Sequence, residues 1–247
     1  MKKTRLADYN SPRQAGVIAI NFREDDDELI GAELVNSDDD VLLVSRKGQA
    51  IRFIADDTQL RPMGRATSGV SGMKFRDGDA LLSMSIIRAE EAASETSDEN
   101  VQYVFTITDG GFAKRTRISD YRIQSRGGLG IKAMQLSDEK RGSLVGAFIV
   151  KDGDEILSIT ASGQVVRSPI DDNFSPKGRS TMGVKFVSPK KNDTVAVVTR
   201  SVEARDEDDE AGDISEANGD EASLESAANL EENGSVEAAE PTETPED

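Results

Sequence analysis

Along residues 1–200 the apolar positions fall in short runs rich in Val, Ile and Leu, broken by Gly, Asp and Ser, and a helical period is missing beyond a turn or two. Three runs share one pattern: LLVSRKGQAIRF (42–53), VFTITDGGFAKRT (104–116) and ILSITASGQVVRS (156–168). Each strand-like run leads into a turn glycine, and an arginine follows four residues later. The pairs are Gly48/Arg52, Gly111/Arg115 and Gly163/Arg167. The opening KKTRLADY matches the second half of the same hairpin, with Lys3 in the arginine's place. Glycine at these turns supplies the positive φ that a tight hairpin requires.

A second element follows each hairpin: RQAGVIAI (13–20), RATSGVSGM (65–73), RGGLGIKAM (126–134) and RSTMGVKFV (179–187). A third is an apolar strand after an acidic turn, as in DALLSMSII and GSLVGAFIV. The hairpin bases lie 49, 63 and 52 residues apart, and the long interval contains the stretch AEEAASETSDEN (89–100). A period near 50 with about four short strands per unit predicts an all-β, propeller-like array of about four blades, an incomplete disc. Counted from the bases, the repeats are 1–49, 50–111, 112–163 and 164–200.

Charge divides the chain sharply. Residues 201–247 hold 18 Asp/Glu against Arg205 alone, whereas 1–200 hold 29 residues of each sign. The net charge of −17 is therefore that of the tail. The tail has no aromatic residue and few aliphatic ones, so it is expected to be disordered. Tethered carboxylates at high local concentration are expected to compete with phosphate for the body's cations. A neutral body with clustered bases keeps nucleic acid open as a partner.

Those bases recur in register. The hairpin bases Lys3, Arg52, Arg115 and Arg167 would line one rim, and the loop arginines Arg13, Arg65, Arg126 and Arg179 a second row. Arg61, Arg122, Lys177 and Lys185 stand nearby. Repeated cations on a curved edge hold duplex DNA without reading its sequence, and glycine lets backbone N–H groups approach the phosphates. Few aromatic residues and no tryptophan argue against single-strand binding. A protein-interaction scaffold with an incidental basic rim is the alternative of a different class.

Catalytic chemistry finds no foothold. The chain has no cysteine and no histidine, and no phosphate-binding Gly-x-x-x-x-Gly-Lys loop. REDDDEL (23–29) and NSDDDVL (36–42) lack the alternation of a calcium loop and read as acidic turns, so no metal site is expected. Tyr9 and Tyr121 each follow an Asp at matching repeat positions, which predicts packing roles. No apolar run is long enough for a membrane helix, and the basic N-terminus lacks the apolar stretch of a secretory signal.

QSRGGLG (124–130) resembles the glycine-rich basic box of the C-terminal domain of the DNA gyrase A subunit, and LLLVSRKGQAIRF, LRPMGRATSGVSGM and GGFAKRTRISDY resemble the same domain in its actinobacterial form. The resemblance covers about 1–200. It implies a β-pinwheel whose basic rim wraps double-stranded DNA so that gyrase introduces negative supercoils. The box positions carried over are Gln124, Arg126, Gly127, Gly128 and Gly130. Ser125 and Leu129 depart from the pattern, where the family has Arg or Lys, which points to a secondary loop inside a blade. The resemblance further implies a bacterial, cytoplasmic protein. The remaining parts of its gyrase A subunit, with the gyrase B subunit in an A2B2 assembly, would use ATP and Mg2+. No cofactor is expected in this chain. The N-terminal start inside a hairpin implies a fragment, and the corresponding C-terminal domain of topoisomerase IV is the related alternative.

Overall fold

The computed structural model describes residues 1–12, 15–90, 101–136 and 141–201. Arg13, most of the acidic insertion and the acidic tail from 202 onward, with the expectations placed on them, lie outside the described residues. The chain divides into two units, Met1–Glu203 and Ala204–Asp247, and everything below belongs to the first.

Hairpins are the local unit. Strands β1 (Asp40–Ser45) and β2 (Gln49–Ile54) pair antiparallel, as do β4 (Tyr103–Thr108) with β5 (Phe112–Arg117), and β8 (Glu155–Thr160) with β9 (Val165–Pro169). Each turn has its glycine at positive φ, +78° at Gly48 and +87° at Gly163. A hydroxyl three residues earlier fastens the turn. Ser45 Oγ accepts from the Gln49 N–H at 3.1 Å, Thr108 Oγ1 from Phe112 at 3.2 Å, and Thr160 Oγ1 from Gln164 at 3.2 Å.

The predicted third strand of each repeat returns to its own hairpin: β3 (Leu81–Ile87) to β1, β7 (Leu144–Val150) to β4, and β11 (Val195–Arg200) to β8. The glycine loop does not. Its two-residue strand crosses to the preceding hairpin, β6 (Ile131–Lys132) pairing with β2 and β10 (Val184–Lys185) with β5. The sheet orders are therefore β3-β1-β2-β6, β10-β5-β4-β7 and β11-β8-β9. Limits counted from the hairpin bases need correction, because they cut hairpins apart. Leu43 and Ile51 are paired across the 49/50 limit. In the first repeat Met1–Lys3 lies against the next loop, with Val70 N–H donating to the Met1 carbonyl at 2.8 Å and Lys3 bridging Pro62.

Stacking explains the burial pattern. One side of the first sheet (Leu42, Val44, Ile87) packs on the second (Val104, Leu144, Ala147), and the second (Phe105, Ile107, Val150) packs on the third (Ile156, Val195). Both faces of β1 and β4 are covered, so all six residues of each are buried rather than alternating. At roughly 1.5–3 kcal/mol for each fully buried aliphatic or aromatic side chain, this packing drives the assembly of neighbouring blades. Tyr121 is 1% exposed within it, as expected. Tyr9 is 36% exposed, contrary to the expectation, on a short 3-10 helix, Leu6–Tyr9, that buries none of its residues. Among the described residues no helix is long and apolar enough to cross a membrane.

Candidate nucleic-acid interface

The hairpin bases are in register, but they turn inward. Arg52 on β2 donates from Nε to Asp40 Oδ2 at 2.7 Å and from Nη1 to the carbonyls of Ile118 and Tyr121 at 3.0 and 3.3 Å. Arg115 on β5 repeats this one blade on, donating to the carbonyls of Phe174 at 2.6 Å and Asp171 at 3.1 Å and pairing with Asp152. Lys3 donates to the Ala55 carbonyl at 2.6 Å and to Asp57 at 2.9 Å. Arg52 and Arg115 are 9% and 2% exposed. The turn after each hairpin leaves carbonyls that need donors, and a buried guanidinium needs a carboxylate; each geometry satisfies both. The expectation that these bases form a solvent-facing rim is corrected for Lys3, Arg52 and Arg115. Arg167 differs: its side chain is half exposed, with Nε donating to Glu155 at 2.6 Å.

The loop arginines hold one relationship three times. Arg65 Nη1 donates to the Ile18 carbonyl at 2.9 Å, Arg126 Nη1 to Ser71 at 3.0 Å, and Arg179 Nη1 to Lys132 at 2.7 Å. Each acceptor lies two residues after the loop glycine of the preceding repeat. Arg126 also reaches the Gln59 carbonyl. All three arginines are half-buried, so they join loop to loop while keeping part of the guanidinium toward solvent.

Within the box-like loop part of the backbone is already committed. Gln124 N–H donates to Arg52 at 2.8 Å, Arg126 N–H to the Gln59 side chain at 3.1 Å, and Gly127 N–H to Gly72 at 2.6 Å, while Gly128 accepts from Lys74 at 2.8 Å. The expectation that these glycines offer N–H groups to phosphate is corrected at Gly127. What Gly130 provides is close approach: at φ +72°, an added Cβ would lie 2.3 Å from the Ala50 carbonyl oxygen.

Arg61, Arg122, Lys177 and Lys185 are exposed. Lys185 Nζ donates to the Gly110 carbonyl at 2.8 Å and stands 4.7 Å from the Phe112 ring centroid. Sequence reasoning missed Lys132, exposed at the place equivalent to Lys185. The shared GIK and GVK were the available signal. It also missed Lys114, fully buried, whose Nζ donates to Gly178 at 2.9 Å and to the Arg179 carbonyl. Burial, with Arg179 nearby, lowers its pKa to about 7. Lys2, at the equivalent place, donates to Gly64 at 3.1 Å and to the Arg65 carbonyl.

Among the described residues no acidic cluster is arranged to hold a metal ion.

A family model described as DNA gyrase C-terminal domain, beta-propeller, matches residues 1–36, 39–88, 102–151 and 154–200. The DNA gyrase A subunit of a Nocardioides species is 69% identical over 244 residues, covering 91% of this chain and 26% of that protein. The Streptomyces coelicolor counterpart is 54% identical over 219 residues, covering 87% and 24%. The chain thus spans about a quarter of the length of these curated relatives. A solved DNA gyrase A C-terminal domain superposes with a TM-score of 0.63 at 30% identity, covering 75% of this chain and 58% of that one. A topoisomerase IV C-terminal domain superposes with a TM-score of 0.70 at 21% identity, covering 81% and 58%, a likeness of fold.

Proposed function

The chain belongs to the family of DNA gyrase C-terminal domains, and from that premise we propose that it binds duplex DNA along its glycine-loop edge, without reading sequence. The observation that carries this reading is the threefold register of Arg65, Arg126 and Arg179, with exposed cations beside it at Arg61 and Arg122 and at Lys132 and Lys185. Cations at equivalent places on successive blades present an ordered series of phosphate contacts. Lys177 and Arg167 supplement them. Lys3, Arg52 and Arg115 serve the joints between blades instead.

In this reading the chain is the DNA-wrapping part of a gyrase A subunit and contributes no catalytic group. The other parts of the A subunit, the gyrase B subunit in an A2B2 assembly, ATP and Mg2+ complete the reaction, the introduction of negative supercoils in a bacterial cytoplasm. The gyrase relatives, one at 69% identity, favour gyrase over topoisomerase IV. The family match likewise favours DNA binding over a protein scaffold.

Duplex affinity of this chain measured against salt tests the proposal. Each neutralised phosphate contributes a log–log slope of about −0.9. Replacing Arg122, Lys132 and Lys185 together by Ala is expected to flatten the slope by roughly 2–3 units. A slope near zero for the unaltered chain overturns the reading.

A further inference from the structure

We propose that Leu129, with Met182 one repeat on, is an apolar wedge that enters the minor groove of bound duplex DNA; the inference rests on the duplex reading above. The two residues hold one place, immediately before Gly130 and Gly183. The backbone there is pressed onto the preceding hairpin. A Cβ at Gly130 would lie 2.3 Å from the Ala50 carbonyl oxygen, and one at Gly183 2.5 Å from that of Ala113. On the other side of Leu129, a Cβ at Gly128 would already touch Ile51 Cδ1 at 3.6 Å. With its neighbours held inward, the side chain at this place is directed outward. Leu129 is 45% exposed and Met182 41%.

A single exposed leucine is ordinary and calls for no explanation. Here the exposure recurs at one register and is flanked along the chain by charge. Lys132 and Lys185 follow by three residues, both exposed, and Arg122 is exposed upstream in the same loop as Leu129. Cations on either side of an apolar tip suit a nucleic-acid groove. The charges meet phosphates on its walls, while the tip meets sugars and base edges and loosens a base step. A protein partner would want a contiguous apolar patch; here the exposed apolar positions Ile123, Leu129, Met182 and Val184 are interspersed along the chain with glycine and with exposed Arg122, Lys132 and Lys185. Ala15 and Ser68 occupy the same place in the first two repeats, too short to wedge, so the bend would be made by two adjacent blades.

The test uses the whole chain and a duplex that carries a donor–acceptor pair at its ends and 2-aminopurine at internal steps. The unaltered chain is expected to shorten the end-to-end distance and to raise 2-aminopurine fluorescence through unstacking. Leu129→Ala with Met182→Ala should lose both signals and bind about tenfold more weakly, with the salt slope unchanged because no phosphate contact is removed. Unfolding of this variant should match the unaltered chain, since both side chains are exposed. Bending and fluorescence unaffected by the double substitution overturn the wedge. So does Leu129→Lys binding more tightly with a steeper slope, which would place the tip at a phosphate. Steep salt dependence without any unstacking in the unaltered chain refutes the wedge and leaves the duplex reading intact, whereas absence of duplex binding brings down both.

Discussion

The guanidinium of Arg179 is bonded to the carbonyl of Lys132 at 2.7 Å, one repeat behind it, and Arg126 stands in the same relation to Ser71 at 3.0 Å. The hairpin bases Lys3, Arg52 and Arg115 reach forward to the next repeat, and the loop arginines reach back to the preceding one. Each joint between blades is thus held from both sides, and the cations that face solvent are set on a frame made by cations that do not.

Arg52 and Arg167 occupy equivalent places in different surroundings, which makes their substitution informative. Arg52→Ala leaves Asp40, 8% exposed, and the carbonyls of Ile118 and Tyr121 without their donor. A loss of about 3–5 kcal/mol is expected from such a broken buried pair. Arg167→Ala removes a pair whose arginine is half exposed and whose Glu155 is 17% exposed, and should cost about 1 kcal/mol, well below the loss at Arg52. Urea unfolding of the two variants measures the difference; equal losses would deny the distinction between joint and surface.

Glycine at the loop turn can be tested the same way. Gly130→Ala forces a left-handed φ of +72° on a side chain whose Cβ meets the Ala50 carbonyl oxygen at 2.3 Å. The backbone penalty of about 1–2 kcal/mol then adds to a contact that can be relieved only by parting the loop from β2. Gly16→Ala has a similar φ, +78°, with nothing within 4 Å, so only the same backbone penalty of about 1–2 kcal/mol remains. Chemical unfolding should rank Gly130→Ala well below Gly16→Ala in stability.

The repeat itself was readable because each hairpin writes its turn glycine and its base at one spacing, which local chain geometry imposes. Where each arginine points was not. Arg52 and Arg167 have similar local sequence settings, and the Ile118 and Tyr121 carbonyls from the next blade, with Asp40, hold the first inward. The loop glycines likewise read as flexibility for a ligand, whereas Gly127 donates to Gly72 and Gly130 presses on Ala50. A strand of two residues such as β6 carries almost no pattern of its own, so its crossing to the preceding hairpin could only be seen in three dimensions. Lys114 went unmarked because burial of a lysine leaves no local signature.

Lys114 gives the fold a distinctive pH dependence. Burial lowers its pKa from 10.5 to about 7, so the charged form is disfavoured in the folded chain. Below about pH 7 folded and unfolded states both hold the proton, and the penalty is fully present. Between about 7 and 10.5 the unfolded chain keeps a proton that the folded chain has released. Stability attributable to this residue therefore rises with pH across that window, by at most about 1.4 kcal/mol per pH unit. Unfolding free energies of the unaltered chain and of Lys114→Met, compared from pH 6 to about 10, should converge or cross as pH rises. A constant difference would mean that the ammonium stays charged against the carbonyls of Gly178 and Arg179.

Lysine in place of the loop arginines separates charge from shape. Arg126 bonds the Ser71 and Gln59 carbonyls at once, a fork that a single ammonium on a flexible stem reproduces poorly. With Arg65, Arg126 and Arg179 each changed to Lys, the net charge is kept and three links between successive loops are weakened. Hydrogen bonds from a charged donor contribute about 1.5–3 kcal/mol each when lost, so even partial loss should lower the unfolding midpoint measurably. The log–log salt slope of duplex binding should stay within about one unit of the original, because the number of cations available to phosphate is unchanged. Full retention of stability would mean that the backward bonds are incidental and that these arginines act through charge alone; a collapse of the slope at retained stability would make them the principal phosphate contacts, placed by fork geometry rather than by charge.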